Sequence, residues 1–408
     1  MKEIAIVSRI LLGAVFIFSG FVKGIDPLGS TYKFIDYFTA FDMMWMHEYA
    51  FVLAILQNAA EFVIGVALML GLRMKVTAWL TAIFMVFFTR LTYVLARTNP
   101  VTDCGCFGDA LILTNWETFY KNLILMAPTL IVFIYRKKYL SPFSPAGDWF
   151  LVILLTIGMI KISLHCYDHL PWVDFRPYRI GADIPQGMII PDDAPVDEYH
   201  STVFYEKDGV VKEFELSEAP FDDPEWEWKD TKTVLLKEGY KPPIHDFSIT
   251  TSNGNDITDE VLSDKGYTFL LVAHDLSKSD SVGLEKASQI YNFCKKHGYK
   301  FYCLTSSLMS DVEELKSEHK LNYEFCNTDD ITLKTIIRAN PGLVLLQNGT
   351  VIGKWHHNDI PEATSLKPNL LSLMLENQAN SNTTKLIYCL VLAFLLFAFA
   401  VYHWKIRE

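Results

Sequence analysis

Asp103-Cys104-Gly105-Cys106-Phe107-Gly108 sets two thiols one residue apart in a short polar loop between two strongly apolar segments. A disulfide needs Cα atoms about 4.4–6.8 Å apart and a near-perpendicular S–S torsion. Cysteines separated by one residue reach that distance only in a tight turn, and Gly105 permits one. A bond there would be strained, and strained, exposed disulfides are the oxidising, labile ones. Three readings stay open: a thiol–disulfide centre at a membrane surface, a strained turn with two free thiols, or half of a metal site.

Outward from this loop the chain is a series of apolar runs long enough to cross a bilayer at 1.5 Å per residue. Spans are predicted over about 4–22, 51–70, 76–96, 119–135 and 149–165, with a sixth over 385–404. The first reads as a retained helix, because Arg9 interrupts its apolar run and no Ala-x-Ala site follows Ser19-Gly20. Gly24–Glu48 mixes aromatic residues with charges, the composition of an interfacial belt. Arg73 and Lys75, then Arg136-Lys137-Lys138, then Lys405 and Arg407 fall on one side if there are six spans. By the positive-inside rule that side is the cytoplasm, with both termini. The Cys-Gly-Cys loop and the large polar region then share the other side, which for a bacterial inner membrane is the oxidising periplasm.

Composition agrees with a membrane protein of two or three domains: 408 residues, half of them hydrophobic. A net charge of −11 argues against nucleic acid and against a polybasic membrane anchor. Seven cysteines are an odd number, so at least one is unpaired within the chain.

The polar region divides in two. Residues 167–243 form a Pro- and acid-rich connector with a hairpin, Ser201–Glu206 and Val210–Leu216, turned by Lys207-Asp208-Gly209. Residues 244–375 alternate strands (Tyr267–Ala273, Lys300–Leu304, Tyr323–Cys326) with helices (Gly283–His297, Ser310–His319, Ile331–Ile337). A closing hairpin, Gly342–Gln347 and Thr350–Trp355, turns on Asn348-Gly349. This pattern predicts an α/β domain with a mixed sheet.

Two resemblances follow. Ser19-Gly20-Phe21-Val22-Lys23, Glu61 with Gly65, Gly71-Leu72-Arg73 and Asp103-Cys-Gly-Cys-Phe-Gly108 resemble the DoxX/MauE membrane proteins, over roughly the first 135 to 166 residues. The resemblance implies a small helical bundle tied to thiol or sulfur redox. Its MauE branch is linked to disulfide formation in the maturation of a periplasmic amine dehydrogenase, and related proteins to thiosulfate–quinone oxidoreduction. The α/β region resembles a thioredoxin-like domain, with Asn340-Pro341-Gly342 where that fold puts its cis-proline, here Pro341. The departure lies at Asp275-Leu-Ser-Lys-Ser-Asp280, which replaces the family's Cys-x-x-Cys. That domain is expected to bind a partner rather than run dithiol exchange, and Cys294, Cys303 and Cys326 to be small core residues.

Other residues bear on the loop. Glu61 and Arg90 sit at depths differing by only about 6 Å at helical rise, and an unpaired charge in mid-membrane costs about 2.5–3.5 kcal/mol. They are therefore expected to pair, with Asn58 beside Glu61, as a structural lock or as a polar pocket for a proton or a quinone headgroup. Lys23 either joins that cluster or snorkels. A neighbouring cation would activate Cys104 or Cys106; Arg97 and Lys121 are nearest in sequence, and Asp103 acts the other way. Cys166 is a candidate resolving thiol, and with His169 and the loop cysteines a candidate zinc set. His356-His357 is expected to be an exposed hairpin end.

The expectation is a multi-domain membrane protein: a six-span α-helical transmembrane bundle (1–166 and 385–404) carrying a thioredoxin-like extracytoplasmic domain. Its predicted activity is thiol–disulfide exchange through Cys104 and Cys106, with envelope proteins as partners and a quinone as acceptor. The competing expectation is a non-enzymatic scaffold whose α/β domain binds proteins.

Overall fold

In a bilayer every backbone N–H and C=O must be satisfied within its own segment, so long apolar runs become helices. The computed structural model describes residues 2–139, 141, 143–237, 239–366, 370–372 and 374; the predicted span over 385–404 lies outside them. Among the described residues five helices are long and apolar enough to cross a membrane, the second of them continued from a preceding 3-10 turn. They are α1 (Lys2–Ile25), α3 (Ala50–Leu70), α4 (Met74–Thr98), α5 (Asn115–Tyr135) and α6 (Pro145–Asp168), while the belt between α1 and α3 folds as helix α2 (Pro27–Ala40). The protein is a membrane protein.

The bundle is organised on the crossing of α1 and α3. Side chains added at Gly13, Gly20 or Gly65 would run into backbone of the facing helix. Small residues allow this approach, and van der Waals packing rather than hydrophobic exclusion then holds the helices. Around the pair, α5 packs on α1 and α4, and α6 on α3. Gly71, left-handed at φ 77°, ends α3 and turns the chain into α4. Arg73 there and Arg136 after α5 lie at the same end, where Arg136 stacks on Trp79 of α4. The cysteine loop joins the other ends of α4 and α5.

The chain forms two compact units, one of residues up to 182 and from 248 onward, the other Asp183–Phe247. The second unit holds a short helix α7 (Ile184–Met188) and an antiparallel sheet in the order β2-β1-β3. Its strands are β1 (Glu198–Lys207), β2 (Val210–Glu215) and β3 (Glu227–Lys237). Strand β3 was not expected from the sequence; all its described side chains are exposed, so it has no apolar alternation.

The rest of the first unit runs β4 (Thr250–Thr251), α8 (Thr258–Leu262), β5 (Tyr267–Val272), α9 (Ser281–His297), β6 (Lys300–Thr305) and α10 (Met309–His319). It closes with β7 (Glu324–Asn327), α11 (Asp330–Ile336), β8 (Gly342–Gln347) and β9 (Thr350–His356). The sheet order is β4-β7-β6-β5-β8-β9, with β5, β6 and β7 parallel and β8–β9 an antiparallel hairpin on Asn348-Gly349. The Asn340–Pro341 peptide is cis. Parallel strands with helical crossovers, closed by a hairpin with a cis-proline at its start, make this a thioredoxin-like domain.

Residues 169–182, predicted as connector, belong to this domain's edge. Gly181 and Ala182 exchange backbone hydrogen bonds with Val351 on β9 (2.7 and 2.9 Å), and the buried Lys354 ammonium lies 2.7 Å from Asp174. His356 is not the exposed hairpin end expected: it is 3 % exposed, and burial pushes its imidazole down to about 3.

Candidate thiol–disulfide site

The cysteine loop is anchored at both ends before it turns. Thr114 caps α5 in a reciprocal capping box with Glu117, and the Asn115 amide donates to Asn99 Oδ1 and Val101 O, both at 2.8 Å. Inside the loop Gly105 takes φ 65°, a left-handed conformation that favours glycine. Its N–H donates to Asp103 Oδ2 at 2.8 Å, and the Asp103 carboxylate pairs with Lys33 of α2. Tyr37 of α2 donates to the Cys104 carbonyl at 2.6 Å. Ser19 of α1 reaches the Cys106 carbonyl at 2.7 Å. Two helices thus fix the backbone on either side of Gly105.

The two sulfurs lie 3.2 Å apart as a hydrogen-bonded dithiol. A disulfide bond is about 2.05 Å long, so closure requires about 1 Å of approach. The pair is electrically divided. Cys106 is drawn down to about 6, chiefly by the hydrogen bond with Cys104 and then, against burial, by the Lys121 and Lys23 cations. Cys104 is pushed well up by the same hydrogen bond and by burial. Lys121 lies 4.3 Å from the centre of the Phe107 ring, so it does face the loop. Cys104 is 7 % exposed, whereas Cys106 is half-buried. Cys106 is thus the more readily ionised of the two, and the thiolate is the nucleophilic form.

Two hollows meet at this loop. One, of about 210 Å³, has aromatic walls that include Phe34, Phe84 and Phe88, and both cysteines, Ser19, Lys23 and Glu61 line it. The other is a cleft of about 890 Å³ between the loop and the thioredoxin-like domain. Asp103, Gly105 and Asp109 line its near side, and His274, Asp275, Ser306 and Ser307 its far side. The far side sits at the carboxyl ends of the parallel strands, where open α/β sheets bind ligands. Asp275–Asp280, in the position of the family's thiol pair, makes a 3-10 turn and caps α9 through Asp280.

The expected Glu61–Arg90 pair does not form. Glu61 instead lies 2.6 Å from Lys23, both almost fully buried, and Arg90 turns to the outer surface of α4. Equal depth gave the right level but not the right face; the α1–α3 crossing brings Lys23 in. Asn58 does join this cluster, donating to the Lys23 carbonyl and to Ser30, both at 3.0 Å. Arg97 is exposed. Cys166 is buried on α6 and lines neither hollow. His169 pairs with Asp359 at 2.8 Å, away from the zinc set considered for it. Among the described residues no group of three or more His, Cys, Asp or Glu is placed to hold a metal. Cys294 on α9 and Cys303 and Cys326 on the strands are at most 1 % exposed, and burial pushes their thiols up, those of Cys294 and Cys326 to about 12.

Sequence reasoning missed Arg338. Its buried guanidinium reaches Asp26 at 3.1 Å and Asp109 at 2.9 Å, three residues beyond Cys106. It therefore ties the thioredoxin-like domain to the cysteine loop. Its place beside the predicted cis-proline was a signal, but carboxylates 312 and 229 residues away left none. Lys33 was missed too, although it stands four residues before Tyr37 on one face of the aromatic belt.

The fold and site define a class: a membrane helical bundle with a dithiol loop facing a thioredoxin-like domain. Residues 1–135 match the family of the methylamine utilisation protein MauE, and residues 199–238 match a domain of unknown function, DUF8463. No curated protein sequence matches the chain. Among solved structures it is similar to the thioredoxin domain of a Bacteroides vulgatus thiol-disulfide oxidoreductase (13% identity, 32% of this chain, 91% of that one, TM-score 0.23). It is also similar to a secreted Mycobacterium tuberculosis disulfide oxidoreductase (15% identity, 32% and 96%, TM-score 0.23) and to Bacillus subtilis StoA (18% identity, 29% and 90%, TM-score 0.24).

Proposed function

We propose that the protein is a membrane thiol–disulfide oxidoreductase that helps envelope proteins mature, with Cys104 and Cys106 as its exchanging pair. The observation that carries this is the pair itself: two sulfurs 3.2 Å apart, with the thiol of the half-buried one drawn down by its partner and by the nearby lysines. In the oxidised form a client thiolate attacks the Cys106 sulfur, the S–S bond breaks, and Cys104 leaves and takes up a proton. A second client thiolate then attacks its partner sulfur in the mixed disulfide and expels Cys106, whose lowered pKa makes it the better leaving group. Two electrons pass from client to pair. The cleft against the thioredoxin-like domain would hold the client beside the loop, which lines it through Asp103, Gly105 and Asp109, while the sulfurs themselves face the smaller hollow.

Re-oxidation needs a two-electron acceptor, and the 210 Å³ cavity fits a quinone ring: aromatic walls, with Ser19, Lys23 and Lys121 as donors near the sulfurs. A quinone held there would supply two-electron oxidation. The basic residues Arg73, Lys75 and Arg136–Lys138 at the bundle's other end support a cytoplasmic placement for that end and a periplasmic one for the loop.

The test is a Cys104→Ser variant expressed in a bacterial envelope. Loss of the resolving thiol should accumulate mixed disulfides between Cys106 and envelope proteins, seen as reductant-sensitive bands that Cys106→Ser lacks. Full function in the Cys104→Ser, Cys106→Ser double variant would replace this reading with that of a scaffold.

A further inference from the structure

The sulfurs and the client cleft lie on opposite sides of one thin wall. Lys23, Ser30, Lys33 and Gly105 line both hollows and so form that wall. We propose that Lys33 is the positioning residue that opens it: by leaving Asp103 for Asp36, it lets a client thiol in the cleft pass over Gly105 to Cys106. The inference rests on the proposed function.

Of these four residues, Lys33 has the side chain that can swing. Lys23 is almost fully buried and held by Glu61 at 2.6 Å, Ser30 accepts from the Asn58 amide at 3.0 Å, and Gly105 has no side chain. The Lys33 side chain is 30 % exposed and lies across that glycine: a Cβ built on Gly105 would stand 3.0 Å from Lys33 Cγ. Its ammonium pairs with Asp103, and a second carboxylate, Asp36, lies 4.0 Å away, one turn further along α2.

Both carboxylates are partly open to water, and ion pairs in such settings contribute little net stability. Trading one for the other therefore costs little, and exposed side chains change rotamer within nanoseconds. The loop keeps its shape meanwhile. Asp103 still accepts from the Gly105 N–H at 2.8 Å, and Tyr37 and Ser19 still hold the carbonyls of Cys104 and Cys106. No covalent bond changes and no proton moves. With the lysine on Asp103 the pair faces the smaller hollow alone; with the lysine on Asp36, a residue without a side chain is what separates it from the cleft.

The experiment uses the reduced full chain in lipid nanodiscs. Alkylation of Cys106 is timed with N-ethylmaleimide and with a maleimide on a polyethylene glycol chain too large for the smaller hollow. Both reagents attack the thiolate, so the ratio of their rates cancels changes in acidity and reports access from the cleft. Asp36→Asn and Asp103→Asn remove the same charge from the same lysine, yet they should move this ratio in opposite directions. Asp36→Asn should lower it and Asp103→Asn raise it, each by about threefold, a population shift within reach of an exposed ion pair. A merely structural Lys33–Asp103 tie predicts no fall with Asp36→Asn. Should Asp103→Asn not fold, Lys33→Ala takes its place and should also raise the ratio. Normal N-ethylmaleimide rates with a ratio that stays put, or moves the same way in both variants, overturn the role of Lys33 alone. A wild-type pair unreactive even to N-ethylmaleimide overturns the proposed function, and this inference with it.

Discussion

The loop between α4 and α5 and the core of the thioredoxin-like domain both carry cysteines, in opposite settings. In the loop a thiol has a second thiol, two lysines and a partly open face. In the domain Cys294 on α9 and Cys303 and Cys326 on β6 and β7 are at most 1 % exposed. Where such a domain would place its own thiols, this one has Asp275–Asp280, turned toward the bundle's cleft. The lesson is that reactivity follows the charge and access around a sulfur, and that the fold which elsewhere supplies both here supplies a wall.

The sharpest way to break this comparison is alkylation of the native protein at pH 7. Cys106, drawn down to about 6, is mostly thiolate there, whereas Cys294 and Cys326 are held near 12. Their thiolate fractions then differ by about five orders of magnitude, and only the thiolate attacks. Lowering the pH through about 6 protonates Cys106, so its labelling should fall while that of the buried thiols stays negligible. Equal labelling of both sets would dissolve the contrast.

A smaller effect separates the domain as wall from the domain as bystander. Arg338→Ala leaves Asp26 and Asp109 facing each other without their cation, and breaking a buried pair costs about 3–5 kcal/mol. Thermal unfolding should drop accordingly, and Cys106 labelling should rise because the loop loses its tie. An unchanged melting temperature would show that the domain does not brace the loop. The least change is expected from Lys121→Gln. Removing one cation from Cys106 should raise its pKa and slow alkylation at pH 6 by about threefold; faster alkylation would mean that Lys121 shields the sulfur.

Much of this architecture was legible in the residues. Apolar length gave the five described spans, alternation gave β5 to β9 almost to the residue, and Asn348-Gly349 gave the closing turn. What failed was orientation and distance. Glu61 was matched to Arg90 by depth, yet a helix presents each level over 360°, and the crossing at Gly20 and Gly65 decided for Lys23. Arg338 has its carboxylates on α2's cap and in the loop, a tertiary fact that no local pattern encodes. Strand β3 escaped because all its described side chains are exposed. The second unit also concentrates charge in a way composition hid: residues 183–247 hold 17 acidic and 6 basic residues, a net −11 equal to that of the entire chain.

Gly105 lines both hollows, while the sulfurs beside it line only the smaller one. A protein visitor and a lipid-soluble one would thus arrive from different sides, and neither has to depart before the other enters. Because the pair cycles through two half-reactions, steady-state rates measured against both should give parallel reciprocal plots, and an excess of either visitor should not inhibit the other.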